Sequence, residues 1–97
     1  MGTKEEILNT LRNLKPDLLT RFKVKEIGLF GSFAREEQSA TSDVDLLTSF
    51  TEDATLFDLI RLALFLEEKL QRRVDVVPKH SLRAKIRDTV LQETALI

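Results

Sequence analysis

Apolar residues in the first half of the chain change from helical spacing to strand-like spacing. Thr3 and Glu6 form a capping-box pattern, and apolar side chains then recur three or four residues apart as far as Leu18. This pattern predicts an N-terminal helix that Pro16 interrupts or restarts. Residues 24–30 predict a strand, and the glycine and serine after it predict a short helical turn.

The second half of the chain repeats this alternation of helix and strand patterns. Residues 43–50 predict a strand whose successive side chains point to opposite faces. Thr55 and Asp58 form a second capping-box pattern, which begins a helix that reaches about Gln71. Residues 73–77 predict a third strand.

The C-terminal boundary residues complete the predicted order of elements. Pro78 is expected to end the third strand, and Ser81 is expected to cap a last helix with Leu82, Ile86 and Val90 on its inner face. The order is helix, strand, short helix, strand, helix, strand, helix. It indicates the α/β or α+β class, with a small mixed β-sheet flanked by helices.

Composition narrows the class of protein. Ninety-seven residues, 42% apolar and 32% charged, predict one folded domain over residues 1–97 with a modest core. The absence of cysteine excludes disulfides and thiolate zinc sites, and a single histidine excludes a multi-histidine metal site. No apolar run is long enough to span a membrane and no export signal is present, so we expect a cytoplasmic protein with no membrane partner.

The net charge of −1 conceals two segments of opposite sign. Residues 36–60 hold seven acidic side chains and no basic one: Glu36, Glu37, Asp43, Asp45, Glu52, Asp53 and Asp58. Residues 69–87 hold seven basic side chains opposed only by Asp75: Lys69, Arg72, Arg73, Lys79, Arg83, Lys85 and Arg87. The acidic segment suits a cation, and the basic segment suits phosphates, nucleic acid or an acidic partner.

Three aspartates are candidates for a metal site. Asp43 and Asp45 are two residues apart on a predicted strand, so their carboxylates leave the same face. Asp75 lies within the third predicted strand and joins them if the two strands are neighbours. Oxygen-only ligands select a hard cation, Mg²⁺ or Mn²⁺. An exposed strand face remains the alternative for an isolated Asp-x-Asp pair.

The glycine and serine after the first predicted strand are candidates for phosphate binding. Gly31 allows a tight turn and close approach of the backbone to a ligand. Ser32 offers a hydroxyl and a backbone N–H at the start of a helical turn. Arg35 lies one turn further on and is placed to reach a phosphate or to pair with a carboxylate. The combination with the three aspartates is far more specific than each part alone.

The motifs carrying these residues resemble a known superfamily. Residues 31–35 (GSFAR) and 42–47 (SDVDLL) are similar to the signature of the nucleotidyltransferases related to DNA polymerase beta. Asp75 within residues 74–77 (VDVV) matches the third carboxylate of that superfamily. The short chain resembles its minimal members, the MNT domains.

The resemblance implies a role for each candidate residue. Gly31 and Ser32 hold the phosphates of ATP, and Asp43 and Asp45 bind Mg²⁺ that bridges the triphosphate. Asp75 completes the metal site and helps to activate an acceptor hydroxyl. Residues matching these motifs are therefore expected to form a nucleotide site.

The resemblance also indicates a role for Arg35 and a partner. Arg35 is implied to contact either a phosphate or the motif itself. The family usually has glycine next, so Glu36 implies a different turn, such as a longer helix, and adds negative charge to the site. Members of this size are commonly encoded with a helical HEPN-domain protein, as toxin–antitoxin pairs in which the MNT member transfers AMP to the HEPN toxin.

Three functions compete on this sequence. The expected one is an Mg²⁺-dependent transfer of AMP from ATP to a hydroxyl of a protein acceptor. The second is an antitoxin with a weak or inert site that neutralises a HEPN partner by forming a complex, and a homo- or hetero-oligomer is consistent with both. The third is modification of nucleic acid, which six Phe without Tyr or Trp and the absence of a second gripping domain argue against.

The helix predicted after Thr55 has apolar positions around much of its circumference. Two explanations are open. Either the helix lies deep between the sheet and another helix, or its excess apolar surface contacts another chain. His80 follows the third strand and is predicted to be a surface or capping residue, not a catalytic base.

Overall fold

The computed structural model describes residues 2–97, which form four α-helices, a 3₁₀ turn and four strands. In chain order these are α1 Lys4–Arg21, β1 Val24–Phe30, α2 Gly31–Ala34, β2 Val44–Phe50, α3 Leu56–Leu70, β3 Val74–Pro78, the 3₁₀ turn Lys79–Ser81, α4 Ala84–Glu93 and β4 Ala95–Leu96. The four strands form one sheet in the order β3-β2-β1-β4. β1 is antiparallel to β2 and β4, and β2 is parallel to β3. The predicted mixed sheet flanked by helices is confirmed.

Two apolar clusters lie on opposite faces of this sheet. The larger cluster packs α1 and α3 against one face, and the side chains of Leu11, Leu46 and Leu66 within it are fully buried. The smaller cluster on the other face is built around Leu47 and Val90. Because Leu46 and Leu47 are consecutive on β2, the pleat sends them into different clusters.

Both predicted capping boxes are present and fix where α1 and α3 begin. Thr3 Oγ1 accepts a hydrogen bond of 3.2 Å from the Glu6 N–H, and Glu6 Oε1 accepts one of 3.1 Å from the Thr3 N–H. Asp58 Oδ2 accepts a hydrogen bond of 2.8 Å from the Thr55 N–H. The expected break at Pro16 is wrong, because α1 is continuous through that residue. Buried leucines on both sides of the proline anchor the two parts of α1 in the same core.

The C-terminal segment departs from the prediction in two respects. Ser81 does not cap α4, since it lies in the 3₁₀ turn and its hydroxyl donates to the Pro78 carbonyl at 2.8 Å. Leu82 and Val90 are buried as expected, whereas Ile86 is 48% exposed. The strand β4 was not predicted. It pairs with β1 and forms the edge strand on that side of the sheet.

The outer face of α3 carries four exposed apolar side chains, which we name the α3 apolar surface. These are Leu56 (70% exposed), Phe57 (77%), Ile60 (45%) and Leu64 (62%). Leu62 and Leu66 face the core and are fully buried, so the helix is apolar on two faces, one of them turned to solvent. No helix in residues 2–97 combines the length and the apolarity that a bilayer crossing requires.

Candidate active site

The parallel pairing of β2 with β3 brings two of the three candidate carboxylates together. Asp45 and Asp75 are register partners, so their side chains leave the same face of the sheet on adjacent strands. Asp43 lies two residues before Asp45 and is exposed, as Asp75 is. Burial, and after it the charges of Asp75 and Asp43, raise the pKa of Asp45. The charges of Asp75 and Asp43 therefore act on Asp45, as expected if the strand of Asp75 adjoins that of the other two.

Gly31 forms the wall of this site next to Asp45. Its φ of +77° lies in the left-handed region that glycine adopts without strain. A Cβ atom at this position would collide with the Asp45 carboxylate. Two independent reasons thus require glycine here: the backbone conformation and the close approach of a carboxylate.

Ser32 follows in α2, the predicted short helical turn. The side chain is half-buried, and its backbone carbonyl accepts a hydrogen bond of 2.9 Å from the Glu37 N–H. The antiparallel pairing of Phe30 with Asp45 holds this turn beside the acids. The site therefore presents the first N–H groups of a helical turn next to a carboxylate, an arrangement suited to phosphate and a cation together.

Arg35 pairs with carboxylates outside the motif. Its Nε lies 2.8 Å from Glu37 Oε1, and a terminal nitrogen lies 2.8 Å from Glu93 Oε2 on α4. The hydrogen bonds to Glu37 and then Glu93 raise the pKa of Arg35. Its positive charge in turn lowers the pKa of Asp45, in opposition to the acids around it. Of the two contacts considered from the sequence, a phosphate or a carboxylate, the structure shows carboxylate pairing.

Glu36 adopts the conformation that glycine favours at this position. Its φ is +58°, and α2 ends at Ala34. The expectation of a longer helix is therefore wrong. The chain makes a left-handed turn with a glutamate, because the following Glu37 N–H is bonded to the carbonyl of Ser32 and the turn is closed.

The donors present fit a hard divalent cation that shares its ligands with a substrate. Residues 2–97 contain no group of three or more Asp, Glu or His side chains arranged to hold a metal by themselves. Mg²⁺ is ordinarily held by one or two carboxylates plus substrate phosphates and water. Asp45 and Asp75, in register on one face, supply that number of carboxylates.

Two residues of the site were not identified from the sequence as site residues. Glu93 reaches Arg35 from α4, 58 residues away along the chain. Arg72 donates to the carbonyls of Ala40 and Ser42, just before Asp43. In the sequence, Glu93 is an ordinary helical glutamate, and Arg72 is one of seven basic residues in a charged segment. No local pattern therefore identifies either as a site residue.

A concave surface adjoins Asp43. It has a volume of about 450 Å³ and lies between residues 40–43 and residues 71–73. A second cavity of about 490 Å³ lies beyond the opposite ends of β2 and β3, next to Phe50 and His80. His80 is exposed there, in the 3₁₀ turn and away from the acids, in agreement with its predicted surface position.

This fold and site define a class of enzyme. The chain belongs to the nucleotidyltransferase domain family, whose family model matches residues 11–97. The resemblance and the enzyme class inferred from the motifs are thus confirmed. Its sequence is 45% identical over 97 residues to the protein adenylyltransferase MntA of Thermococcus cleftensis, covering all of this chain and 98% of that protein.

Solved structures support the same assignment. A structure described as a minimal nucleotidyltransferase superposes with a TM-score of 0.80 at 40% identity, covering 93% of this chain and 92% of that chain. A crystal structure of a toxin–antitoxin with AMP-PNP superposes with a TM-score of 0.67 at 25% identity, covering 96% of this chain and 70% of that chain. The chain has the fold of a minimal nucleotidyltransferase.

Proposed function

We propose that this chain transfers AMP from ATP to a hydroxyl of a HEPN-domain protein and is the antitoxin of that pair. The observation that carries the proposal is the contact of Gly31 with Asp45, with Asp75 in register on the next strand. This contact joins a phosphate-binding turn to a pair of carboxylates. A relative named as a protein adenylyltransferase and a similar structure of a toxin–antitoxin with AMP-PNP support the proposal.

In the proposed reaction, Gly31 and Ser32 bind the phosphates through backbone N–H groups and the serine hydroxyl. Asp45 and Asp75, with Asp43 beside them on the same face, would hold Mg²⁺ or Mn²⁺ together with the phosphates of ATP. The cation would supply charge neutralisation for the triphosphate during in-line attack at the α-phosphorus. The acceptor oxygen bonds to the α-phosphorus and pyrophosphate leaves.

Asp75 and Arg35 have distinct parts in this proposal. Asp75 is exposed on the edge strand of the sheet, where an acceptor from another protein has access. Its carboxylate orients the acceptor hydroxyl and receives its proton. Arg35 stays anchored between Glu37 and Glu93, and its charge partly offsets the upward shift that burial and the other acids give to the pKa of Asp45.

We assign the α3 apolar surface to the partner protein. Four large apolar side chains on one helix face are exposed to water in the isolated chain. Single exposed apolar residues are ordinary, but a contiguous group on one helix is typical of a protein interface. The basic residues that follow α3 favour a partner with acidic groups beside its apolar contacts.

The decisive experiment uses a HEPN-domain protein as the proposed partner. The partner is incubated with Mg²⁺, ATP and either the wild type or the Asp75→Asn variant, and its mass is measured. We expect an AMP-sized adduct with the wild type and none with Asp75→Asn, although both form the complex. A complex that blocks the toxin with no adduct from the wild type would instead support the alternative, an antitoxin that acts by binding alone.

The alternative is favoured by one observation. The site has a high density of negative charge, since Glu36 adds a carboxylate beside the phosphate-binding turn and Arg35 is already paired twice. Repulsion of a triphosphate would weaken nucleotide binding. Calorimetry with Mg²⁺ and ATP on the wild type measures this affinity, and the same measurement on Asp43→Asn tests whether Asp43 binds the metal. Equal binding by both proteins would contradict the metal-binding role of Asp43.

A further inference from the structure

Arg72 spans the three segments that carry the candidate site residues. It lies between the end of α3 and the start of β3, two residues before Val74. One terminal nitrogen donates to the Ala40 and Ser42 carbonyls, each at 3.2 Å. Both carbonyls belong to the loop that leads into Asp43. The side chain is thus fixed to the segment immediately before the first aspartate.

The same guanidinium also contacts α2. Its Cζ lies 4.9 Å from the centroid of the Phe33 ring, a cation–π distance. Phe33 is fully buried and directly follows Ser32, so its position fixes the phosphate-binding turn. One guanidinium therefore makes both contacts at once, the hydrogen bonds to the two carbonyls and the cation–π contact with the ring.

We propose that Arg72 is a positioning residue that aligns the Asp43 loop with the Gly31–Ser32 turn. Without Arg72, the loop retains hydrogen bonds among its own residues, such as the 2.8 Å bond from the Ser39 N–H to Ser42 Oγ. Such local bonds shape the loop but do not tie it to the turn. The consequence for nucleotide binding rests on the proposed function, whereas the alignment itself does not.

Arg73 provides a matched control. It is the adjacent residue, carries the same charge, and has an exposed side chain, while its backbone carbonyl pairs with the Val44 N–H at 2.9 Å. Arg73→Ala therefore removes one positive charge at the same place and keeps the loop contacts. A general electrostatic effect would appear in both alanine variants, and an alignment effect only in Arg72→Ala.

The first measurement is amide hydrogen exchange on the nucleotide-free proteins. In Arg72→Ala we expect faster exchange in residues 32–34 and 40–44, with unchanged exchange in the β1 core. Arg73→Ala should match the wild type. Arg72→Lys retains a cation that reaches the carbonyls, so we expect it to restore part of the protection. Equal protection of the two segments in the wild type and Arg72→Ala would overturn the alignment.

The second measurement is calorimetric affinity for ATP with Mg²⁺, at a temperature where melting curves show every variant folded. We expect Arg72→Ala to weaken binding about tenfold, the scale of losing hydrogen bonds to a charged group, with Arg72→Lys intermediate and Arg73→Ala near the wild type. If Arg72→Ala shows faster amide exchange but unchanged affinity for ATP, the positioning role is overturned.

If the wild type binds no ATP, the proposed function is overturned instead, and the hydrogen-exchange result alone tests whether Arg72 aligns the two segments. If Arg72→Ala does not fold, both amide exchange and ATP affinity are measured on Arg72→Lys in its place.

Discussion

Glu36 stores backbone strain at the edge of the site. Its φ of +58° is a left-handed conformation, which side chains with a Cβ atom disfavour. We predict that Glu36→Gly is about 1 kcal/mol more stable to unfolding than Glu36→Ala, which loses the same charge but keeps the strain. Urea denaturation of the two variants measures the difference. Equal stability would show that the turn costs nothing.

Asp45 gives the fold a predictable dependence on pH. Burial, followed by the charges of Asp75 and Asp43, raises its pKa in the folded protein. The stabilising contribution of this group is therefore complete below the ordinary carboxyl pKa of about 4 and is lost as the pH rises through the higher folded value. At neutral pH, its ionised form opposes folding.

We predict that Asp45→Asn is more stable than the wild type at pH 7, in the absence of nucleotide and metal. The advantage should shrink as the pH falls to about 4, because the wild-type carboxyl is then neutral as well. Urea denaturation over a pH series measures it. Asp17→Asn, on the exposed face of α1, is the control. An advantage that is the same at every pH would mean that packing, not charge, is the cause.

The sequence predicted neighbouring residues within a motif better than contacts between distant segments. Spacing on one strand put Asp43 and Asp45 on the same face, whereas Gly31 was joined to them through the resemblance of the motifs to a known superfamily. Arg72 and Glu93 act across long stretches of chain, on the Asp43 loop and on Arg35. Their roles depend on the packing of distant elements, which no periodicity encodes.

Among the elements, those with local signals were predicted correctly. The capping boxes located α1 and α3, and alternation located β1 and β2. β4 has only two residues, too few to show an alternating apolar pattern. It forms because the unpaired side of β1 is available for antiparallel pairing. Ser81 was misassigned because its hydroxyl bonds backward to Pro78, an option that serine has at any turn.

Gly28 makes the pairing of β4 with β1 possible. A Cβ atom there would collide with the Thr94 methyl group and come within 3.1 Å of the Ala95 carbonyl oxygen. We predict that Gly28→Ala lowers the free energy of unfolding by about 1–3 kcal/mol through overpacking. Gly2→Ala, where a Cβ would meet nothing within 4 Å, is the matched control.

Urea denaturation of both variants measures this effect, and amide exchange at Ile97, whose N–H donates to the Ile27 carbonyl, locates it. Fast exchange at Ile97 in Gly28→Ala would show that β4 has separated from the sheet. Since only Thr94 separates Glu93 from this strand, the ion pair of Glu93 with Arg35 should weaken too. A variant as stable as Gly2→Ala would mean that the C-terminal strand moves aside without cost.

At the scale of the whole molecule, substitutions in the α3 apolar surface should affect partner binding without affecting the stability of the isolated chain. Phe57 is 77% exposed, so Phe57→Ser should change the free energy of unfolding of the isolated chain by no more than about 0.5 kcal/mol. In a complex with the proposed HEPN-domain partner, the same change should weaken affinity by about tenfold or more, as expected of an aromatic anchor. Leu19→Ser, on the exposed side of α1, is the control.

Calorimetry of the complex and denaturation of the free chain test the two halves of this prediction separately. Loss of affinity with Phe57→Ser but not with Leu19→Ser would locate the partner on α3. Equal affinity for all three proteins would exclude α3 as the docking surface. Activity is not needed for this test, so it remains valid even if the site proves inert.

The parallel pairing of β2 with β3 also has a kinetic consequence. Phe30 and Asp45 are fifteen residues apart along the chain, whereas Asp45 and Asp75 are thirty residues apart, with α3 between them. Closing the longer loop costs more chain entropy, so we expect β1 and β2 to associate before β3 docks. Val76→Ala should then mainly accelerate unfolding, and Ile27→Val should mainly slow folding, in stopped-flow measurements. The repulsion between Asp45 and Asp75 would arise after the rate-limiting barrier, so it would shorten the lifetime of the folded protein without slowing its formation.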